Sequence, residues 1–274
     1  PLHRPTDVLP VDLNADDRLD LVVCEYGNLV GSMFWRENTG AEFKKHPLLA
    51  LPGCLNVSSG HFNQDDIPDH VFLTGQAREA VFLFLSTEPG TFELRMLLER
   101  PPAWGHSHVE VLDFNVDGHP DLLITNGDNG EYPSQPHKAY HGIRLHLNDG
   151  QNNFHEALFH PQPGAYKALA RDFDLDGDLD IASIAYFPDY RRDPRGGFVL
   201  LRQEGPMEFS AHDLASVEGR WLTMDAGDWD RDGDEDIILG AHNQGPHQRG
   251  FPRDLTERWR NRPTPLLLLN NQTK

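Results

Sequence analysis

Residues 172–180 read Asp-Phe-Asp-Leu-Asp-Gly-Asp-Leu-Asp, five carboxylates in nine residues. Charges so crowded repel one another unless a cation sits among them. Asp172, Asp174 and Asp176 alternate, Gly177 follows, and Asp180 closes the run. A compact loop of this kind aims oxygens from positions 1, 3, 5 and 9 at one point, and glycine at position 6 permits the sharp turn. Hard oxygen donors in that number suit Ca²⁺, which accepts roughly six to eight of them in a forgiving geometry.

The pattern recurs. Asp228-Trp-Asp230-Arg-Asp232-Gly-Asp234-Glu-Asp236 is a second full copy. Asp113-Phe-Asn115-Val-Asp117-Gly-His119-Pro-Asp121 and Asp12-Leu-Asn14-Ala-Asp16-Asp17-Arg18-Leu-Asp20 carry Asn at position 3, and the latter has Asp17 in place of glycine. His61-Phe-Asn63-Gln-Asp65-Asp-Ile-Pro-Asp69 lacks the first carboxylate, so it is expected to hold metal weakly or not at all. An EF-hand loop places its last carboxylate at position 12 between helices. Here it falls at position 9, and the flanks are short and β-branched (Ile181 to Tyr186 after the fourth loop), so each loop joins two strands.

The copies start at 12, 61, 113, 172 and 228. A second landmark keeps their rhythm: an apolar strand and a polar turn, as in "SMFWRENTGAEF", "VFLFLSTEPGTF", "IRLHLNDGQNNF" and "FVLLRQEGPMEF". The fifth, "PLLLLNNQTK", stops short of a last strand. Four strands per roughly 50 residues is the arithmetic of a propeller blade. The fold class expected is all-β, a single β-propeller domain over residues 1–274, with blades near 1–50, 51–100, 101–160, 161–215 and 216–274.

The D-x-[DN]-x-D-G-x-x-D loop inside a four-stranded repeat resembles the FG-GAP/VCBS-type β-propellers, which include integrin α-subunit head domains. "NGDNGEYPSQPHKAYHGIRLHLNDG" and "GRWLTMDAGDWDRDGDEDIILG" resemble bacterial VCBS-repeat proteins, some of which carry a c-type cytochrome domain. No Cys-x-x-Cys-His occurs here. Propellers of this family usually have seven blades, so the resemblance implies the C-terminal five blades of a seven-bladed ring, with a closed five-bladed ring as the alternative. It also implies a metal ligand set of the side chains at positions 1, 3, 5 and 9, with the position-7 carbonyls of Arg18, His119, Asp178 and Asp234. About four Ca²⁺ sites follow.

A net charge of −19 disfavours nucleic acid, and fourteen of the 43 acidic residues are ligand positions in the four better loops. The apolar runs, Leu266 to Leu269 and Ala80 to Leu85 among them, are too short to span a bilayer. Calcium dependence points to the periplasm or the cell exterior. Cys24 and Cys54 fall at strand ends on the face opposite the loops, compatible with a disulfide or with two buried thiols.

The loops away from the acidic turns are long, from Thr125 to Gly142, Ala185 to Gly197 and Gly240 to Pro265. They carry His137, Tyr140, His141, Tyr186, Tyr190, Arg191, Arg192, His242, His247 and Trp259, and the inter-blade turns add His106, His108, Tyr166, Lys167, Arg220 and Trp221. That mixture suits a carbohydrate or a protein partner, and a binding or scaffold module is the leading expectation. A polysaccharide-lyase-like enzyme using His108, Tyr166 and Arg220, or an accessory module of a cytochrome-containing protein, is the alternative. G-x-S-x-G and H-E-x-x-H are absent. Trp221 and Trp229 are expected in the inter-blade core, and Pro252 to Arg260 reads as a short helix started by proline and acidic residues.

Overall fold

A computed structural model describes the chain except residues 1, 28, 64, 66, 77, 131–135, 194, 215–218, 245–250, 262–265 and 270–274. Its fold class is all-β, a β-propeller of five blades. Blade one is β1 (Pro5–Val11), β2 (Asp20–Glu25), β3 (Met33–Asn38) and β4 (Phe43–Leu49); blade two is β5 (Cys54–Gly60), β6 (Asp69–Thr74), β7 (Glu79–Glu88) and β8 (Thr91–Arg100). Blade three is β9 (His106–Leu112), β10 (Asp121–Asn126), β11 (Gly142–Asn148) and β12 (Phe154–Pro161). Blade four is β13 (Ala165–Arg171), β14 (Asp180–Ala185), β15 (Phe198–Gly205) and β16 (Glu208–Asp213). Blade five has three strands among the described residues: β17 (Trp221–Gly227), β18 (Asp236–Ala241) and β19 (Leu266–Leu269). In every blade the strands lie side by side in chain order.

Each acidic loop is a tight connection from first to second strand. Its position 9 pairs with the residue just before position 1: Val11 with Asp20, Gly60 with Asp69, Arg171 with Asp180 and Gly227 with Asp236. At the other end of the same ladder the register shifts, between Pro5/Asp7, Cys54/Asn56, Ala165/Lys167 and Trp221/Thr223. A bulge at the same repeat position in each ladder leaves one residue (Tyr166 in blade four) outside the pairing and re-aims it.

The chain divides into two compact units, Pro1–Leu122 with His146–Glu156, and Leu123–Leu145 with Ala157–Lys274. In the first, Leu13 and Val22 of blade one pack against Val57, Phe72, Phe82 and Phe84 of blade two. In the second, Phe173 and Ala182 of blade four pack against Trp221, Met224, Ile237 and Leu239 of blade five. Blades one and four therefore each turn a trailing face toward the next blade, and blades two and five a leading face toward the one before. Trp221 is interior as expected, whereas Trp229 is 71% exposed, contrary to its expected place in the core. Strand alternation explains this: Trp229 lies on the trailing face of blade five, which no described residue covers.

Cys24 and Cys54 form a disulfide with their Cα atoms 5.2 Å apart, joining β2 to β5. The helix is α1 (Arg253–Asn261), which buries Leu255 and Trp259 against Tyr190 and Phe251. No helix among the described residues is long and apolar enough to cross a membrane.

Candidate metal loops and the opposite rim

The loop conformation follows from backbone constraints. Position 4 is left-handed in the four better loops, at Ala15 (φ 58), Val116 (φ 57), Leu175 (φ 61) and Arg231 (φ 65). Position 6 is left-handed as well, at Gly118, Gly177 and Gly233, with Asp17 at φ 63. A Cβ on Gly177 or Gly233 would meet nothing within 4 Å, so glycine is there for its dihedral and not for space. Aspartate tolerates the left-handed region, which accounts for Asp17.

The reversals are held by carboxylates. Asp172 accepts the N–H groups of Asp176 and Gly177 at 3.1 and 3.0 Å, and Asp176 accepts that of Asp178 at 3.0 Å. The same bonds recur around Asp113 and Asp117, around Asp12 and Asp16, and around Asp228 and Asp232. The result gathers oxygens of Asp172, Asp174 and Asp176 within 4.8 Å of one another, and likewise of Asp228, Asp230 and Asp232. In the other two loops Asn replaces the middle carboxylate: Asn115 donates to Asp117 at 2.9 Å, and Arg18 pairs with Asp16. Arg202 pairs with Asp174 in the fourth loop.

Position 9 behaves differently. Asp20, Asp69, Asp121, Asp180 and Asp236 are all buried. One oxygen of each accepts the N–H of position 2, from Leu13, Phe62, Phe114, Phe173 and Trp229. In four blades the other accepts a third-strand N–H, from Asn38, Ser86, Asn148 and Gln203, at 2.6 to 2.8 Å. Position 9 is thus a hydrogen-bonded tie between loop, second strand and third strand. The degraded loop keeps the same tie: Asp69 holds both bonds although His61 stands at position 1. Burial, then the charges of Asp174 and Asp176, pushes Asp180 up to about 6, and burial likewise raises Asp69 and Asp121.

Three converging hard oxygens, preset by two left-handed residues, fit a divalent cation of the calcium type. The position-7 residues differ in setting: Arg18 and Asp178 are exposed, His119 is half-buried and Asp234 is buried.

At the other end of the strands lie the residues expected to meet a ligand. His106, His141, Arg220 and Trp221 are buried. The backbone N–H of His106 donates to Glu79 at 2.6 Å. Arg220 donates from Nε to the Tyr186 carbonyl at 2.8 Å and stacks 3.8 Å from the Tyr186 ring, with Phe187 and Phe251 each at 5.1 Å. The chain's own guanidinium fills this aromatic nest, and burial lowers its pKa to about 10. His108 and Lys167 occupy the repeat slot of Asp7 and Asn56, whose side chains accept the N–H groups of Val57 and Val109 on the next blade's first strand. His108, Tyr166 and Lys167 are half-buried and His137 is exposed. Tyr166 lies 5.5 Å from Tyr186, whose hydroxyl is 3.1 Å from Nδ1 of the exposed His242. His247 lies outside the described residues.

The fold and the repeated loops define a β-propeller whose blades each carry an acidic loop between first and second strands. Residues 172–239 match the model of the FG-GAP-like repeat, running from the first ligand position of loop four to Leu239 in β18. The match and the blades together fit an FG-GAP/VCBS-type repeat propeller. No curated protein matches the chain. Among solved structures it resembles a protein from Lactobacillus plantarum, at TM-score 0.40 and 12% identity over 88% of this chain and 78% of that one. It also resembles the PQQ-bound aldose sugar dehydrogenase from Streptomyces coelicolor, at TM-score 0.36 and 12% identity over 92% of each chain. No functional conclusion rests on likenesses of that size.

Proposed function

We propose that this chain is a calcium-braced binding module of an extracytoplasmic protein, whose rim opposite the acidic loops takes a carbohydrate or protein partner. The observation that carries this reading is the convergence of Asp172, Asp174 and Asp176, and of Asp228, Asp230 and Asp232, at the same place in consecutive blades. Calcium there neutralises repulsion in the turn that joins the first two strands, so its role is to brace and not to react. The periplasm or the exterior supplies calcium at the concentrations such loops need. On the opposite rim, Tyr166 at a bulged strand position is half-buried and His242 is exposed, both beside the buried Tyr186, polar and aromatic groups of the kind that meet sugar hydroxyls.

Terbium luminescence tests the metal reading directly, because Trp229 follows Asp228 in loop five and can sensitise a bound lanthanide. We expect emission on adding Tb³⁺, displaced by Ca²⁺ and strongly reduced in Asp228→Ala. Absence of calcium-displaceable emission would remove the metal from the proposal.

A further inference from the structure

A hollow of about 170 Å³ opens on the rim opposite the acidic loops, and Tyr166, Tyr186 and His242 do not line it. Three segments of the second unit meet there. The end of β12 and the turn after it bring His160 to Pro163, and the loop between β14 and β15 brings Asp193 and Arg195. The paired ends of β15 and β16 bring Val199 and Asp213. The volume is that of about six waters, enough for one pyranose ring with the rest of a chain left in solvent.

Gln162 is the most enclosed polar side chain in the hollow, at 3% exposed. Its Oε1 accepts the Ser183 hydroxyl at 2.7 Å, which fixes the amide, and its Nε2 has no partner. A buried N–H left unpaired is costly, and an acceptor on a ligand relieves that cost. Around it the charges nearly cancel. Arg195 pairs with Asp213 at 3.0 Å, which leaves Asp193 as the net charge of the hollow. Burial lowers the pKa of His160, so its imidazole is neutral at pH 7, one nitrogen donating and the other accepting.

That set of groups sorts ligands by chemistry. A phosphate or carboxylate would meet the Gln162 N–H but is repelled by Asp193. An ammonium would meet Asp193 but has no lone pair for Gln162. A hydroxyl both donates and accepts, so it serves either partner. The apolar wall of Phe198 and Val199 suits the C–H face of a sugar ring. We propose that this hollow seats one uncharged sugar residue of a glycan. The proposal rests on the reading of this rim as a carbohydrate surface and gives it a specific seat.

Saturation-transfer NMR on the 274-residue chain tests this, with the methyl glycosides of glucose, galactose, mannose and N-acetylglucosamine as probes and methyl glucuronide as the charged control. At least one neutral glycoside should bind, and the glucuronide should not. Ala211 is an exposed residue of the wall, so Ala211→Trp should fold, checked by an unchanged melt, and should abolish binding by filling the hollow. Gln162→Leu should bind about tenfold more weakly, and Ala211→Trp decides the matter if that variant does not fold. Tyr166→Ala should leave binding unchanged. Binding that survives Ala211→Trp overturns the hollow, and if that same binding falls in Tyr166→Ala, the rim reading stands without it. Preference for the glucuronide also overturns the proposal. Failure of every glycoside to bind overturns the hollow together with the carbohydrate form of the rim reading, and leaves only its protein-partner form.

Discussion

Asp69 and Asp172 occupy loops of the same design and do different work. Asp69, at position 9, holds two buried N–H groups, at 2.6 Å each, in a loop without a full ligand set. Asp69→Ala leaves both donors unpaired and should cost about 2–4 kcal/mol in urea unfolding, equally with calcium and with chelator. Asp172→Ala should cost far less in chelator and should chiefly remove the calcium-dependent part. Arg202, paired with Asp174, is the resident counter-charge of loop four, so Arg202→Gln should tighten calcium binding there, read by calorimetry. His70 supplies the pH dependence. Burial lowers its pKa from the ordinary 6.5 to about 4. The unfolded chain takes up the proton first as pH falls, so stability present above the unfolded value is lost between the two. Relative to His70→Phe, wild type should lose about 3 kcal/mol over that window. Positions 1, 3, 5 and 6 were legible in the sequence because ligand spacing and a left-handed glycine leave a repeated mark. The hydrogen bonds that position 9 makes to the loop and the third strand were not legible, although the retention of Asp69 beside the loss of position 1 at His61 was the available signal.

At the scale of elements, each blade is closed by its loop, and position 2 locks blade one to blade two through Leu13 and blade four to blade five through Phe173. Phe173, buried against blade five, should cost about 3–5 kcal/mol when truncated to Ala, measured by chemical unfolding. The disulfide joins β2 to β5 across a sequence separation of 30. Its reduction should destabilise the first unit by about 3–4 kcal/mol if loop-closure entropy dominates, visible as a lowered melting temperature in reductant. Strands and their order could be read from the sequence because acidic turn and polar turn alternate with apolar runs at a fixed rhythm. The helix Arg253–Asn261 was legible from its proline and acidic start. Arg220 was not: nothing local in "GRWL" tells a guanidinium that reaches a ligand from one enclosed by Tyr186, Phe187 and Phe251. That distinction is made by tertiary packing alone.

For the molecule as a whole, the charge of −19 and the clustered loops have one physical consequence. Without divalent cations the native state concentrates repulsion that the unfolded chain relieves, and each cation bound only to the native state raises its stability, by about 2.7 kcal/mol per site at a hundredfold excess over Kd. Thermal unfolding in excess Ca²⁺ and again in chelator, for wild type and for Asp172→Ala/Asp228→Ala, measures this most directly. The account predicts a rise of many degrees with calcium in wild type and a much smaller one in the double variant. Equal melting temperatures for wild type in calcium and in chelator would contradict it.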